Sequence, residues 1–284
     1  MEARARARFV KNHSAVVGAT IVAALIAFAS IGPALVAHDP LESDFARGIS
    51  PEGTPVGPNA VFLLGTDRLF RDVLARLAYA GRLSLLISFA ATAIATAIGA
   101  VVGIVAGWHE GGRIDGWLMR LVDVMLAFPF LLLVMAIGAA LDRSSAITIF
   151  VTLGATSWLG IARVLRAKTM QVRSHEYILA ARALGQSTAR ILLLHVLPNV
   201  AGPLLVSATI LVGQMMVADS VLSYLGVGIA PPTPTWGRML FEGQDSYAGA
   251  PWLVAAPATA ILLAVWGFNM LGEGLRDALD PNEV

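Results

Sequence analysis

Residues 83–108 read LSLLISFAATAIATAIGAVVGIVAGW, twenty-six positions without one Asp, Glu, Lys or Arg. A helix rises about 1.5 Å per residue, so about 20 apolar residues cross a hydrocarbon core about 30 Å thick. The run is long enough to span a bilayer. Within it Gly99, Gly103 and Gly107 recur every fourth position, a spacing that lets helices approach closely in lipid. Packing inside the chain is the simpler use of that stripe, and a contact between subunits is the other.

Five further charge-poor runs flank this one. The spans read as 14–37, 83–107, 121–141, 144–164, 196–218 and 252–272. Overall the 284 residues are 57% hydrophobic and only 14% charged, where a soluble domain carries about 25% charged residues. The mean hydropathy of +0.73 agrees. Six buried helices of a soluble bundle would not need such long uncharged stretches. The expected fold is therefore all-α: a polytopic membrane protein with six transmembrane helices. The first run follows Arg4, Arg6, Arg8 and Lys11 like a signal peptide, but it exceeds the usual apolar length of about 7–15 residues. It reads as a retained span after a short basic N-terminus (1–13).

Lysine and arginine set orientation. Six spans place both termini, the loop around Arg113 and Arg120, the segment Arg163–Arg190 and Arg276 on one side. That side carries thirteen of the twenty basic residues, so it is expected to be cytoplasmic. The exception is Arg68–Arg82, basic yet outside. There Leu69, Phe70, Val73, Leu74, Leu77 and Ala78 share one helical face, with Arg71, Asp72 and Arg76 opposite, which predicts an amphipathic helix on the outer surface. Two long outer loops, 38–82 and 219–251, are interrupted by Pro and Gly. The second contains Pro231-Pro232-Thr233-Pro234 and cannot form one helix. Residues 273–284 form the remaining cytoplasmic end.

The most informative loop spans 165–195 and runs into the fifth span: HEYILAARALGQSTARILLLHVLPNVAGP from His175 to Pro203. Glu176–Ala183 is rich in helix formers. Gly185 then interrupts the helix or makes a close contact, and Ser187 suits a new N-cap. Pro198 and Pro203 bend the next run or mark its entry. Tyr177, Ala181 and Leu184 make an apolar stripe on the short helix. A helix held at the membrane surface ahead of a span can pass force between a cytoplasmic partner and the bundle.

This stretch resembles the EAA loop of binding-protein-dependent ABC importer permeases. Its core is met by Ala180, Ala181, Gly185, Leu197 and Pro198. The fuller pattern EYxxAARALGxSxxRIxxxHxLPN, from Glu176 to Asn199, is similar to the dipeptide, oligopeptide and nickel permease group. Leu179 stands where the general motif often has Glu. Other matches follow in order. Gly65-Thr66-Asp67 with Arg71-Asp72 resembles the GTDxxGRD signature, with Phe70 in place of a glycine. Gly111-Gly112, Asp115, Met119-Arg120, Asp123 and Ala127-Phe128-Pro129 resemble the block after the second span. Leu222 to Gly228 and Pro231 to Gly237 resemble the outer loop, and Phe268-Asn269 with Leu275-Arg276-Asp277 and Leu279-Asp280-Pro281 the C-terminal signature.

The resemblance implies a type I importer permease fold in a bacterial inner membrane. It implies a second, homologous permease subunit, two cytoplasmic ATPases and an extracytoplasmic substrate-binding protein as partners, with lipid around them and no nucleic acid. Glu176, Tyr177, Ala180, Ala181, Leu184 and Gly185 would couple to an ATPase, and His195, Leu197, Pro198 and Asn199 would shape the loop. Asp219, Ser223 and Tyr224 are candidates for the pathway or its outer gate. The cargo would be peptides, with nickel or a nickel chelate as the alternative.

The residues themselves exclude other chemistry. Neither Lys11 nor Lys168 follows a glycine, so there is no P-loop. No GxGxxG, HExxH or GxSxG occurs, cysteine is absent and the five histidines are scattered, so no catalytic site, metal or cofactor is expected. A stand-alone secondary transporter would show repeats and ionisable groups near mid-bilayer. An intramembrane protease would need a nucleophile and base in facing spans. Neither pattern is present.

Overall fold

The computed structural model describes residues 8–141 and 145–279. Arg4, Arg6, Arg143, Ser144, Asp280 and Pro281 lie outside them. The helices are α1 His13–Leu35, α2 Val73–Trp108, α3 Arg113–Ala127, α4 Phe130–Ala140, α5 Ala146–Ser157, α6 Leu159–Arg173, α7 Glu176–Ala183, α8 Thr188–Ile191, α9 Leu197–Tyr224, α10 Trp236–Gly243 and α11 Trp252–Leu279. Among the described residues the only β pairings are two isolated bridges.

Asn12 caps α1, its side-chain oxygen accepting from Ala15 N at 3.1 Å. Pro33 sits inside the last turns of that helix. Its missing N–H leaves the carbonyl four residues earlier, on Ala29, without a helical donor. Arg82 of α2 supplies one: its Nε donates to Ala29 O at 2.9 Å and its Nη2 to Ser30 O at 2.8 Å. A guanidinium thus repairs the proline's break and clamps the first two spans together.

The amphipathic outer helix expected before the second span does not exist as a separate element. Residues 73–82 are the first turns of α2, which runs on to Trp108. Asp72 caps it, accepting from Leu74 N at 2.8 Å and Ala75 N at 3.3 Å. The charges do not face solvent either: Arg76 is 1% exposed. They are turned inward because partners from the outer loops wait there, described below. Helical periodicity alone assigned the polar side to water.

The run 121–141 is also not one straight helix. α3 and α4 meet at 91°. Phe128 is extended (φ −86°, ψ 135°) directly before Pro129, as the proline's Cδ requires of its predecessor. α5 and α6, in contrast, form a nearly continuous 28-residue helix. It continues to Arg173, well past the expected end at 164, so the first third of the loop 165–195 is helix.

Among the described residues, five helices are long and apolar enough to cross a membrane, and the bent pair makes up to six. Parity decides the count. Asn12 Nδ2 donates to Asp277 Oδ2 at 2.8 Å, so the start of α1 and the end of α11 share a face. α2 starts beside the end of α1, through Arg82 on Ala29 and Ser30, so its far end lies on that same face. The end of α6 meets it there through Arg173–Glu110 at 3.8 Å, with Arg182 over the Trp108 ring at 4.3 Å. Two helices that run the same way need a return between them, so the α3–α4 pair is the sixth crossing.

α2 is the central element, packed on α1, α5, α6 and α9, while α11 packs on α1 and α9. The glycine stripe of α2 faces α6. A Cβ on Gly103 would sit 2.6 Å from Ala162 O, and one on Gly107 2.6 Å from Arg166 O. The stripe therefore serves packing within the chain. The α1–α11 seam is as close: a Cβ on Gly18 would lie 2.5 Å from Leu271 N. Two apolar clusters result, one among α2, α3, α6 and α9, the other among α1, α2, α10 and α11.

Candidate functional site

On the face that carries the start of α1 and the end of α11, α7 and α8 form a ledge. Glu176 lies in the first turn of α7, where the helix dipole favours a carboxylate. Leu184 ends the helix in a Schellman motif: Gly185 N donates to Arg182 O at 2.9 Å and Gln186 N to Ala181 O at 3.1 Å. Gly185 has φ +75° and nothing within 4 Å of an added Cβ. Of the two roles open to it, interruption is the one it plays; no close contact is made. Ser187 then caps α8, its hydroxyl accepting from Arg190 N at 3.4 Å.

The predicted stripe of Tyr177, Ala181 and Leu184 does not share one environment. Ile178 and Ala181 are the residues of α7 buried against the chain, whereas Tyr177 is 42% and Leu184 81% exposed. The chain holds α7 by the Ile178–Ala181 face, spaced i,i+3. It leaves Glu176, Tyr177, Leu179, Ala180, Leu184 and Gly185 outward. Both stripes are apolar in the sequence, and only the tertiary fold chooses between them. Two further anchors went unread: Arg182, stacked on the Trp108 ring at the end of α2, and Arg173 facing Glu110.

His195 joins the two sides of the ledge. Its Nε2 lies 3.3 Å from Gln186 Oε1, and its ring faces that of Tyr177 at 6.2 Å. The backbone around it, Leu192–Val196, is a π-turn, a local widening of the helix often found at functional positions. Pro198 cannot donate to the ladder, and Asn199 Nδ2 donates to His195 O at 2.6 Å. Leu197, Pro198 and Asn199 are exposed. Nearby, Asp115 and Arg166 form a bidentate pair at 2.6 and 2.7 Å, and Asp123 pairs with Arg163. The last two join α3 to α6.

The opposite face is separated from the ledge by the bundle. α9 ends there in a second Schellman motif, with Val227 N donating to Leu222 O at 2.8 Å and Gly226 at φ +77°. Asp219 and Ser223 lie on its inner face, 1% and 0% exposed, and neither side chain has a hydrogen-bond partner among the described residues. Tyr224 is 48% exposed on another face. The three candidate gate residues therefore do not converge. Gly237 of α10 packs on Ser220 and Ser223. α10 itself is locked to α2 by Trp236, whose N donates to Ser84 Oγ at 3.1 Å and whose Nε1 donates to Leu77 O at 3.0 Å. α9, the α5–α6 junction and the α3–α4 bend line a cavity of about 410 Å³, with Phe128, Phe130, Ser157, Gln214, Met215 and Ala218 in its walls.

The family model described as binding-protein-dependent transport system inner membrane component matches residues 99–283, which contain the ledge and the bent span. The chain belongs to this family. A model of the N-terminal transmembrane domain of oligopeptide transport permease C matches residues 3–51 of this permease. Among relatives, the permease is 38% identical over 279 residues to the oligopeptide transport system permease protein OppC of Escherichia coli, covering 98% of this chain and 90% of that one. It is 38% identical over 275 residues to the dipeptide transport system permease protein DppC of Bacillus subtilis, covering 96% and 83%. A solved structure of the inward-facing MetNI methionine ABC transporter aligns with TM-score 0.58 at 19% identity over 72% of this chain and 96% of that one. The fold is thus that of a type I importer permease, and the chain is a multi-pass permease subunit of an ABC importer.

Proposed function

We propose that this permease forms half of the translocation pathway of a peptide importer and is driven through α7 by a cytoplasmic ATPase. The observation that carries the reading is the division of α7: Ile178 and Ala181 hold it, while Leu184 and Tyr177 project outward. Arg182 on Trp108 ties the same helix to α2, the centre of the bundle. A push on the exposed side therefore reaches α2 and α6 together. The chain carries no P-loop, so the energy comes from two ATPase partners. These partners favour one of two packings of the helices and so alternate access to the pathway. A second, homologous permease completes the pathway at the cavity beside the α3–α4 bend, and a binding protein delivers cargo to the opposite face. Peptide is favoured over nickel because relatives at 38% identity over nearly the whole chain are named for oligopeptide and dipeptide transport.

The excess of basic residues on the α7 face supports a cytoplasmic position for that face. The chain has no cysteine, so single-cysteine labelling tests this directly. A membrane-impermeant maleimide should label Leu184→Cys in inverted vesicles stripped of the ATPases and not in intact cells. Uptake of labelled peptide by proteoliposomes holding the permease with its permease and ATPase partners, and supplied with the binding protein, should require ATP and be abolished by Leu184→Asp. Labelling from outside, or uptake by this chain alone, would refute the proposal.

A further inference from the structure

On the face opposite α7, the segment 67–76 and α10 enclose a cavity of about 450 Å³. Its charged lining comprises Arg68, Arg71, Arg76 and Arg238 against Asp67, Glu242 and Asp245, a surplus of one positive charge. The core of this network is fixed. Arg76, 1% exposed, is held by Asp67 at 3.2 Å, Glu242 at 2.8 Å and Pro40 O at 3.3 Å. Arg71 lies 2.7 Å from Asp67. Arg238 is bound only through Nε, to Glu242 Oε1 at 3.0 Å, with its Cζ 4.9 Å from the Phe241 ring centre. Its two terminal nitrogens have no partner among the described residues, and neither does Nη1 of Arg71. The remaining wall is apolar: Leu69, Pro232, Phe241 and Leu253.

We infer that this cavity is a binding site for a free carboxylate next to an apolar side chain, as at the C-terminus of a peptide. A guanidinium edge held through Glu242, itself bound to the buried Arg76, is the donor arrangement that takes a carboxylate in two parallel bonds. Its pre-organisation keeps the ordering cost of binding low. The cavity lies within the size range of small-ligand sites, about 300–1,000 Å³, and mixes apolar wall with a few polar groups as they do. The surplus positive charge is neutralised when the carboxylate enters, and Leu69, 56% exposed without a ligand, is covered. The choice of a peptide end as the carrier of the carboxylate rests on the peptide reading above.

The test is calorimetric titration of the full chain in lipid nanodiscs with N-acetylphenylalanine and with its amide, at low and high salt. The acid should bind saturably, at least about tenfold more tightly than the amide, which corresponds to about 1.4 kcal/mol. Salt should weaken the acid only. Arg238→Gln should weaken the acid about tenfold or more without altering thermal unfolding. Arg47→Gln, whose partner Asp44 lies outside this cavity, should change nothing. Equal binding of acid and amide, or unchanged binding by Arg238→Gln, overturns the site. Equally tight binding of N-acetylglutamyl-phenylalaninamide overturns its assignment to a chain terminus. These readouts need neither ATPase nor transport, so their failure leaves the importer reading to its own experiment.

Discussion

Two residues with positive φ show how differently a single position can be constrained. Gly185 stands in open space, so only its backbone angle demands glycine. Gly185→Ala should cost about 1–2 kcal/mol for the left-handed conformation. It should loosen the α7–α8 turn, seen as faster amide exchange at Gln186 and Ser187 and reduced peptide uptake. Phe70 replaces a glycine of the resembled signature, and its side chain disfavours the positive φ that a glycine adopts freely. The structure keeps the turn: Phe70 sits at φ +59°, and its ring meets Phe45 edge-on at 5.6 Å. Phe70→Gly relieves about 1–2 kcal/mol of backbone strain and forfeits about 0.5–1.5 kcal/mol of ring contact, so its thermal stability should stay close to the parent. Phe70→Val retains the strain, adds β-branching and loses the ring, and should unfold at clearly lower temperature.

At the scale of elements, the seam between α2 and α6 is the most exacting. Gly103→Leu would drive a side chain into the Ala162 backbone. Because lipid offers no hydrophobic drive to hold helices together, close packing must do it. The variant should lose folded protein on size-exclusion chromatography, whereas Gly116→Leu, with open space around its Cβ, should not. The glycine stripe was legible because a four-residue spacing has a direct geometric meaning. So were the presence of long apolar helices and the limits of α7, where composition, Gly185 and Ser187 agree, but not the helix ends at Val73 and Arg173. The bend at Phe128–Pro129 was written in the proline, but hydropathy averaging hid it. The inward turn of Arg71 and Arg76 was not legible, because their partners Glu242 and Pro40 come from distant loops. The same holds for Ile178 against Tyr177: two apolar stripes compete, and the contact with α6 selects one. The π-turn before Leu197 had no signal beyond Pro198.

Taken whole, the ledge and the arginine cavity lie at the two ends of a single long helix. α2 touches the arginine cavity at its start, through Arg76, and the ledge at its end, through Trp108. The first and last spans meet at Asn12 and Asp277, 2.8 Å apart through their side chains. A short bismaleimide should join Asn12→Cys to Asp277→Cys within one chain, giving a faster band on denaturing gels at unchanged subunit mass. Bands at twice the mass would mean that the ends belong to neighbouring copies. This meeting of beginning and end makes the bundle a closed ring rather than a ribbon. A ring has no privileged starting point. A gene rewired to join the old ends by a flexible linker and to open in the outer loop near Gly53, where an added Cβ meets nothing, should still yield the same six-helix body. Synthesis order would then become a variable separable from architecture.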